Sequence, residues 1–98
     1  MSLSVVLRKK ARVEFDLAID WYERRESGLG AEFADRIQAV FDQIAAAPEI
    51  HATVYRDIRR VLVRQFPYSV YYRIQAERLV VLAVFHNKRD PKIWKSRD

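Results

Sequence analysis

The chain has 98 residues, about half of them hydrophobic, with two glycines, three prolines and no cysteine. That length supports one domain with a modest core, and the missing cysteine excludes disulfides, thiolate metal sites and thiol catalysis. The formal net charge of +5 is unevenly placed: residues 1–52 carry seven Lys/Arg against nine Asp/Glu, whereas residues 53–98 carry eleven against four, a net of +7.

Leu3–Arg8, LSVVLR, is short, apolar and β-branched, and is expected to form a first strand. The opening MSLSVVLRKKARVEF has neither the long apolar core nor the small-residue cleavage site of a signal peptide, which points to a cytoplasmic protein. Helical spacing follows, with Ala11, Phe15, Ala18, Ile19 and Tyr22 on one face and Arg12, Asp16, Asp20 and Glu23 opposite. A second apolar stripe, Val13, Leu17 and Trp21, exceeds what one buried face needs. Either this helix is sandwiched between a second helix and a sheet, or the stripe meets a partner.

ESGLG holds both glycines and supplies a helix stop and a turn. The next helix places Phe33, Ile37, Val40, Phe41 and Ile44 on one face and ends before Pro48. The two helices form an antiparallel hairpin. Pro48 to Asp57 is expected to be a loop or a short edge strand. Three strands then close the chain: RRVLVRQF (Arg59–Phe66), YSVYYRIQ (Tyr68–Gln75) and LVVLAVFHN from Leu79. Tyr68, Val70, Tyr72 and Ile74 share one face of the middle strand, and Ser69, Tyr71, Arg73 and Gln75 the other. Short connections make these an antiparallel meander. The run Leu79–Phe85, apolar on both faces, suits a covered central strand and is far too short to cross a membrane. The expected fold is α+β, in the order β-α-α-β-β-β, with the helical hairpin packed on one face of a small antiparallel sheet and a short C-terminal helix.

Arg59, Arg60, Arg64 and Arg73 come from neighbouring strands, and Lys88, Arg89, Lys92, Lys95 and Arg97 follow the last one. Guanidinium groups suit phosphate or carboxylate because their planar fork donates paired hydrogen bonds. Tyr71 and Trp94 interleave with these cations, as a base-stacking surface requires. Trp, Tyr and Arg are equally the residues of protein interfaces. The pattern therefore predicts binding to an anionic partner without naming it. Two successive arginines in a strand point to opposite faces, so only one of Arg59 and Arg60 can join a given patch. Trp94 has a plainer reading as an anchor for the C-terminal helix, and Asp90–Pro91 as its cap. His86 is the one histidine beside the basic residues, and a metal-free ribonuclease would need a second acid or base besides it. His51 receives no role. The two histidines make no metal motif, and neither metal nor cofactor is expected.

IRRVLVRQFPYSVYYRIQ (58–75) and LVVLAVFHNKRDPKIW (79–94), together with the earlier GLGAEFADRIQAVFDQIAAAP (28–48), resemble the ParE branch of the RelE/ParE superfamily of type II toxin–antitoxin modules. The FPYSVYY block and the ending His-x-x-Arg-Asp-Pro-x-x-Trp are its most specific parts. The resemblance implies a helical hairpin on an antiparallel sheet and a ParD-like antitoxin whose C-terminal segment wraps the toxin. Val13, Leu17 and Trp21 then become candidate antitoxin-binding residues. ParE-like members poison DNA gyrase, whereas RelE-like members cut messenger RNA in the ribosome. RelE-like enzymes use an arginine and a tyrosine where this chain has Ser69 and Trp94; serine carries no charge and the indole N–H is no usable acid or base. Lys88 does match a basic position of that site. The expectation is thus a gyrase poison contacting its target through Arg59, Arg60, Arg64, His86, Lys88, Arg89 and Trp94. The alternatives are an endoribonuclease using His86, Lys88 and Arg73, or an inactive antitoxin-binding module.

Overall fold

The computed structural model describes residues 2–98. The elements run β1 (Ser4–Leu7), α1 (Lys9–Arg25), α2 (Leu29–Ala46), β2 (Thr53–Tyr55), β3 (Ile58–Leu62), β4 (Tyr68–Gln75), β5 (Arg78–His86) and α3 (Lys92–Lys95). They form one helical hairpin and one five-stranded sheet in the order β1-β5-β4-β3-β2. The last three strands are the expected antiparallel meander, extended by β2 as a short edge strand. β1 lies parallel to β5, with Val5 opposite Leu79 and Leu7 opposite Val81, so the sheet is mixed. Short connections fix strand direction within the meander; nothing local fixes it for a strand whose partner is more than seventy residues away.

The hairpin covers one sheet face. Ala11, Phe15, Ala18 and Tyr22 of α1 and Phe33, Ile37, Val40, Phe41 and Ile44 of α2 pack on Val61, Val70, Tyr72, Leu79, Val81 and Val84. Phe66, in the turn before β4, folds back between the helices, its ring 4.9 Å from Tyr22 and 5.1 Å from Phe33, edge to face. The two glycines have different tasks. Gly28 turns the chain at φ +90°, whereas Gly30 lies where a Cβ would stand 2.6 Å from the carbonyl oxygen of Ile19, so it sets the approach of the helices. Glu23, expected simply to face solvent, accepts hydrogen bonds from the N–H groups of Gly28 (2.9 Å) and Gly30 (3.0 Å) and caps α2 from its neighbour.

The opposite sheet face carries a second, smaller cluster: Ile58, Tyr71, Val80, Leu82, Ala83, Phe85 and Trp94. Tyr71 pairs with Ala83 but Tyr72 with Val81, so Leu82 is an extra residue, a bulge. Leu82 and Ala83 both join this cluster as a result. The stripe on α1 is not sandwiched: Val13, Leu17 and Trp21 are 48%, 62% and 47% exposed, because α2 and the sheet share the side of α1 that holds Phe15. Among the described residues no helix is long and apolar enough to cross a membrane.

Candidate functional site

The C-terminal segment builds the site. After β5 the N–H of Asn87 bonds the carbonyl of Pro67 (2.9 Å), and the N–H of Lys88 donates to Nδ1 of His86 (3.1 Å). The Asp90 carboxylate accepts from the N–H of Lys92 (2.9 Å) and so starts α3. α3 lays Trp94 on Tyr71, the rings stacked at 4.1 Å and 20°, with Tyr55 edge-on at 6.1 Å. Between α3 and the sheet opens a groove of about 240 Å³. Its floor is apolar, made by Val54, Tyr71, Phe85 and Trp94, and Arg60, His86, Arg89 and Lys95 stand around it. Beneath Arg60 the fully buried Ser69 hydroxyl accepts from the guanidinium Nε (3.1 Å) and donates to Oδ1 of Asn87 (2.6 Å).

The sequence could not tell which cations are already partnered. Glu14 of α1 takes both guanidinium nitrogens of Arg97 (2.8 and 2.9 Å) and one of Arg89 (2.8 Å). The same carboxylate accepts from the N–H of Val84 (3.2 Å), and Arg97 donates to the carbonyl of Leu82 (3.1 Å). Leu82 and Val84 lie on β5 beyond the last residue paired with β1, so this ion pair satisfies the strand edge that β1 leaves open. Arg73 donates to Asp57 (2.7 Å) and to Asp98, which also accepts from Arg56. These hydrogen bonds hold the Asp98 carboxyl below its ordinary pKa, Arg73 contributing most. Arg59 turns to the hairpin side and donates to the carbonyls of His51 (2.6 Å) and Glu49 (3.2 Å), tying down the α2–β2 loop. Burial, aided by Arg59, lowers the pKa of His51, whose Nε2 is buried without a hydrogen-bond partner.

Of the target-binding residues expected from sequence, the fold brings Arg60, His86 and Arg89 onto one groove. Lys88 is exposed beside it, and Arg64 is exposed in the β3–β4 turn. Two placements differ from expectation. Arg59 belongs to the other face, and Trp94, 4% exposed, supports the groove from below. The alternative trio of His86, Lys88 and Arg73 is not gathered: His86 pairs with Tyr68 and Arg73 with Val80, five positions along β4 or about 16 Å. Tyr71 and Trp94 offer no ring face for a base to stack on, since each is covered by the other. Lys95, one of the tail cations but not among the expected target contacts, lines the groove. Val54 in its lining and Glu14 as the partner of Arg89 and Arg97 were missed because their signal is tertiary.

A second, apolar groove of about 510 Å³ lies between α1 and the ends of β4 and β5. Leu17 and Trp21 of the exposed stripe line it with Tyr22, Pro67 and Tyr68, and His86 and Arg89 line it too. The two grooves therefore share a wall made of those two side chains. Arg25 lies over the Trp21 ring at 4.3 Å, adding a cation to the apolar stripe.

Among solved structures the fold is similar to a chain described as "Chromosomal ParDE TA system from P. aeruginosa", with a TM-score of 0.62 and 14% identity, covering 87% of this chain and 96% of that one. No curated protein sequence matches. The family model described as "ParE toxin of type II toxin-antitoxin system, parDE" matches residues 5–91, from β1 to the start of the C-terminal helix. The chain belongs to the family of ParE toxins of type II toxin–antitoxin systems.

Proposed function

We propose that the protein is a toxin that inhibits DNA gyrase by binding, through the face that carries Arg60, His86, Lys88 and Arg89, and that a ParD-like antitoxin neutralises it. The observation that carries this reading is a groove with an apolar floor flanked by Arg60, Arg89 and Lys95, in which His86 Nδ1 is already taken up by the N–H of Lys88. Ser69 is buried between Arg60 and Asn87, Trp94 is packed under α3, and Arg73 is held by two carboxylates at a distance. A ribonuclease needs a base, an acid and cations on one phosphate at once. The experiment is a supercoiling assay with gyrase beside a cleavage assay with ribosome-bound message. Inhibition of supercoiling near stoichiometric toxin, with intact message, is expected. Cuts abolished by His86→Ala would transfer the reading to an endoribonuclease.

The antitoxin reading rests on the exposed Val13, Leu17 and Trp21 and on the groove that Leu17 and Trp21 line. An amphipathic helix or extended segment with apolar side chains every three or four residues fits such a stripe. Leu17→Asp would weaken the complex with the product of the adjacent small gene at least tenfold, since it puts a charge in a desolvated contact. Unchanged affinity in that variant would remove the stripe from the interface.

A further inference from the structure

We infer that the groove between α3 and the sheet recognises an acidic protein segment in which carboxylates flank one aliphatic side chain, and not a nucleic-acid strand. The inference rests on the proposed target-binding role of that face and names the chemistry it accepts. A phosphodiester strand would need cations in a row and exposed aromatic faces. Here Arg59, Arg73 and Arg97 are withdrawn into the fold, by carbonyls or carboxylates. Tyr71 and Trp94 in the groove floor are 6% and 4% exposed and stack on one another, and the half-buried Tyr55 stands edge-on to Trp94 with the Lys95 ammonium 5.5 Å from its ring.

What stays exposed is mixed in character. Val54 (44% exposed) lines the groove, and Leu62 (61% exposed) stands two residues beyond Arg60 on the same face of β3. Exposed aliphatic groups close to an arginine disfavour a hydrated phosphate and favour the apolar anchor of a peptide. Arg60, Lys95 and Arg89, the last with one nitrogen on Glu14, line the cavity, so carboxylates before and after that anchor would each meet a guanidinium or ammonium group. The volume of about 240 Å³ suits one side chain with its neighbouring backbone.

The test is an amide-shift NMR titration of the isotopically labelled protein with three probes. These are the capped peptide Asp-Glu-Leu-Asp-Glu, the same peptide with serine replacing leucine, and an oligothymidylate of equal charge. The leucine peptide is expected to shift the amides of Val54, Arg60, Leu62 and Asn87, and to bind at least threefold more tightly than either other probe. Leu62→Glu, at a position exposed enough not to disturb folding, is expected to weaken it at least fivefold, and Val54→Ser about threefold. Equal binding by the serine peptide, tighter binding by the oligonucleotide, or no shifts at these amides would each overturn the inference. A parallel supercoiling assay separates the two claims. If the wild-type protein inhibits gyrase and Leu62→Glu inhibits equally, the inference fails while the proposed target stands. If the wild-type protein leaves gyrase untouched, the target fails and the titration still decides the chemistry.

Discussion

Replacing Glu14 with alanine removes the partner of Arg97, and the size of the loss follows from how far that pair is withdrawn from water. The side chains of Glu14 and Arg97 are 13% and 9% exposed, and the contact is bidentate. Taking away one member of such a pair leaves an uncompensated guanidinium and costs about 3–5 kcal/mol when burial is complete. Residual exposure reduces this to about 2–3 kcal/mol. The Arg89 contact, 42% exposed, adds only a few tenths of a kcal/mol. Opening the Val84 N–H to water adds at most about 1 kcal/mol. A total near 3 kcal/mol is a large part of the roughly 5–15 kcal/mol of a domain this size, and lowers Tm by about 12–24 °C. Urea unfolding gives the same number through Cm at constant m. Asp16→Ala is the internal control, because the Arg12–Asp16 pair sits at 4.0 Å with side chains 57% and 60% exposed. It should cost under about 0.5 kcal/mol. In a double-mutant cycle, Glu14→Ala with Arg97→Ala should recover about 1–2 kcal/mol relative to the sum of the single changes. If Glu14→Ala costs no more than Asp16→Ala, the carboxylate is not the clamp that closes the edge of β5.

Gly30→Ala should destabilise by about 2 kcal/mol, seen as a lower Cm, because the new methyl meets the Ile19 carbonyl at 2.6 Å and the helices must part. Ala76→Gly should raise stability by about 0.5–1 kcal/mol in the same assay, since alanine there holds φ at +57° in the two-residue turn between β4 and β5. His51 supplies a pH dependence. Its folded pKa lies below the ordinary 6.5, so the unfolded chain binds the proton more readily and stability declines as pH falls through about 6.5. His51→Gln should flatten that part of the profile of Cm between about pH 7.5 and pH 5, and an unchanged profile would contradict the burial argument.

Periodicity carried much of the architecture. The faces of α2, the alternation along β4 and the doubly covered β5 are local patterns, and each residue expected inside from them on α2 is buried. Partnering of charges was not legible, because Glu14 and Arg97 meet across a separation of 83 residues. The same holds for Asp98 with Arg73 and for Glu23, whose spacing on α1 placed it with the solvent-facing charges. Composition counts eleven cations in the second half of the chain but cannot subtract those the fold neutralises. Trp94 shows the same limit: its type fits an interface or an anchor equally, and only the stack on Tyr71 decides for the anchor. The α1 stripe was ambiguous in sequence because its residues fit a second buried face and a partner surface equally, and only the fold shows Val13, Leu17 and Trp21 exposed.

The most direct measurement is supercoiling by gyrase in the presence of the wild-type protein and of the charge-reversed Arg60→Glu/Lys95→Glu variant, matched for fold by circular dichroism. The cationic groove as working face requires inhibition by the wild type near equimolar toxin and a loss of at least tenfold in potency on reversal. Equal potency of the two proteins would place the contact elsewhere on the molecule.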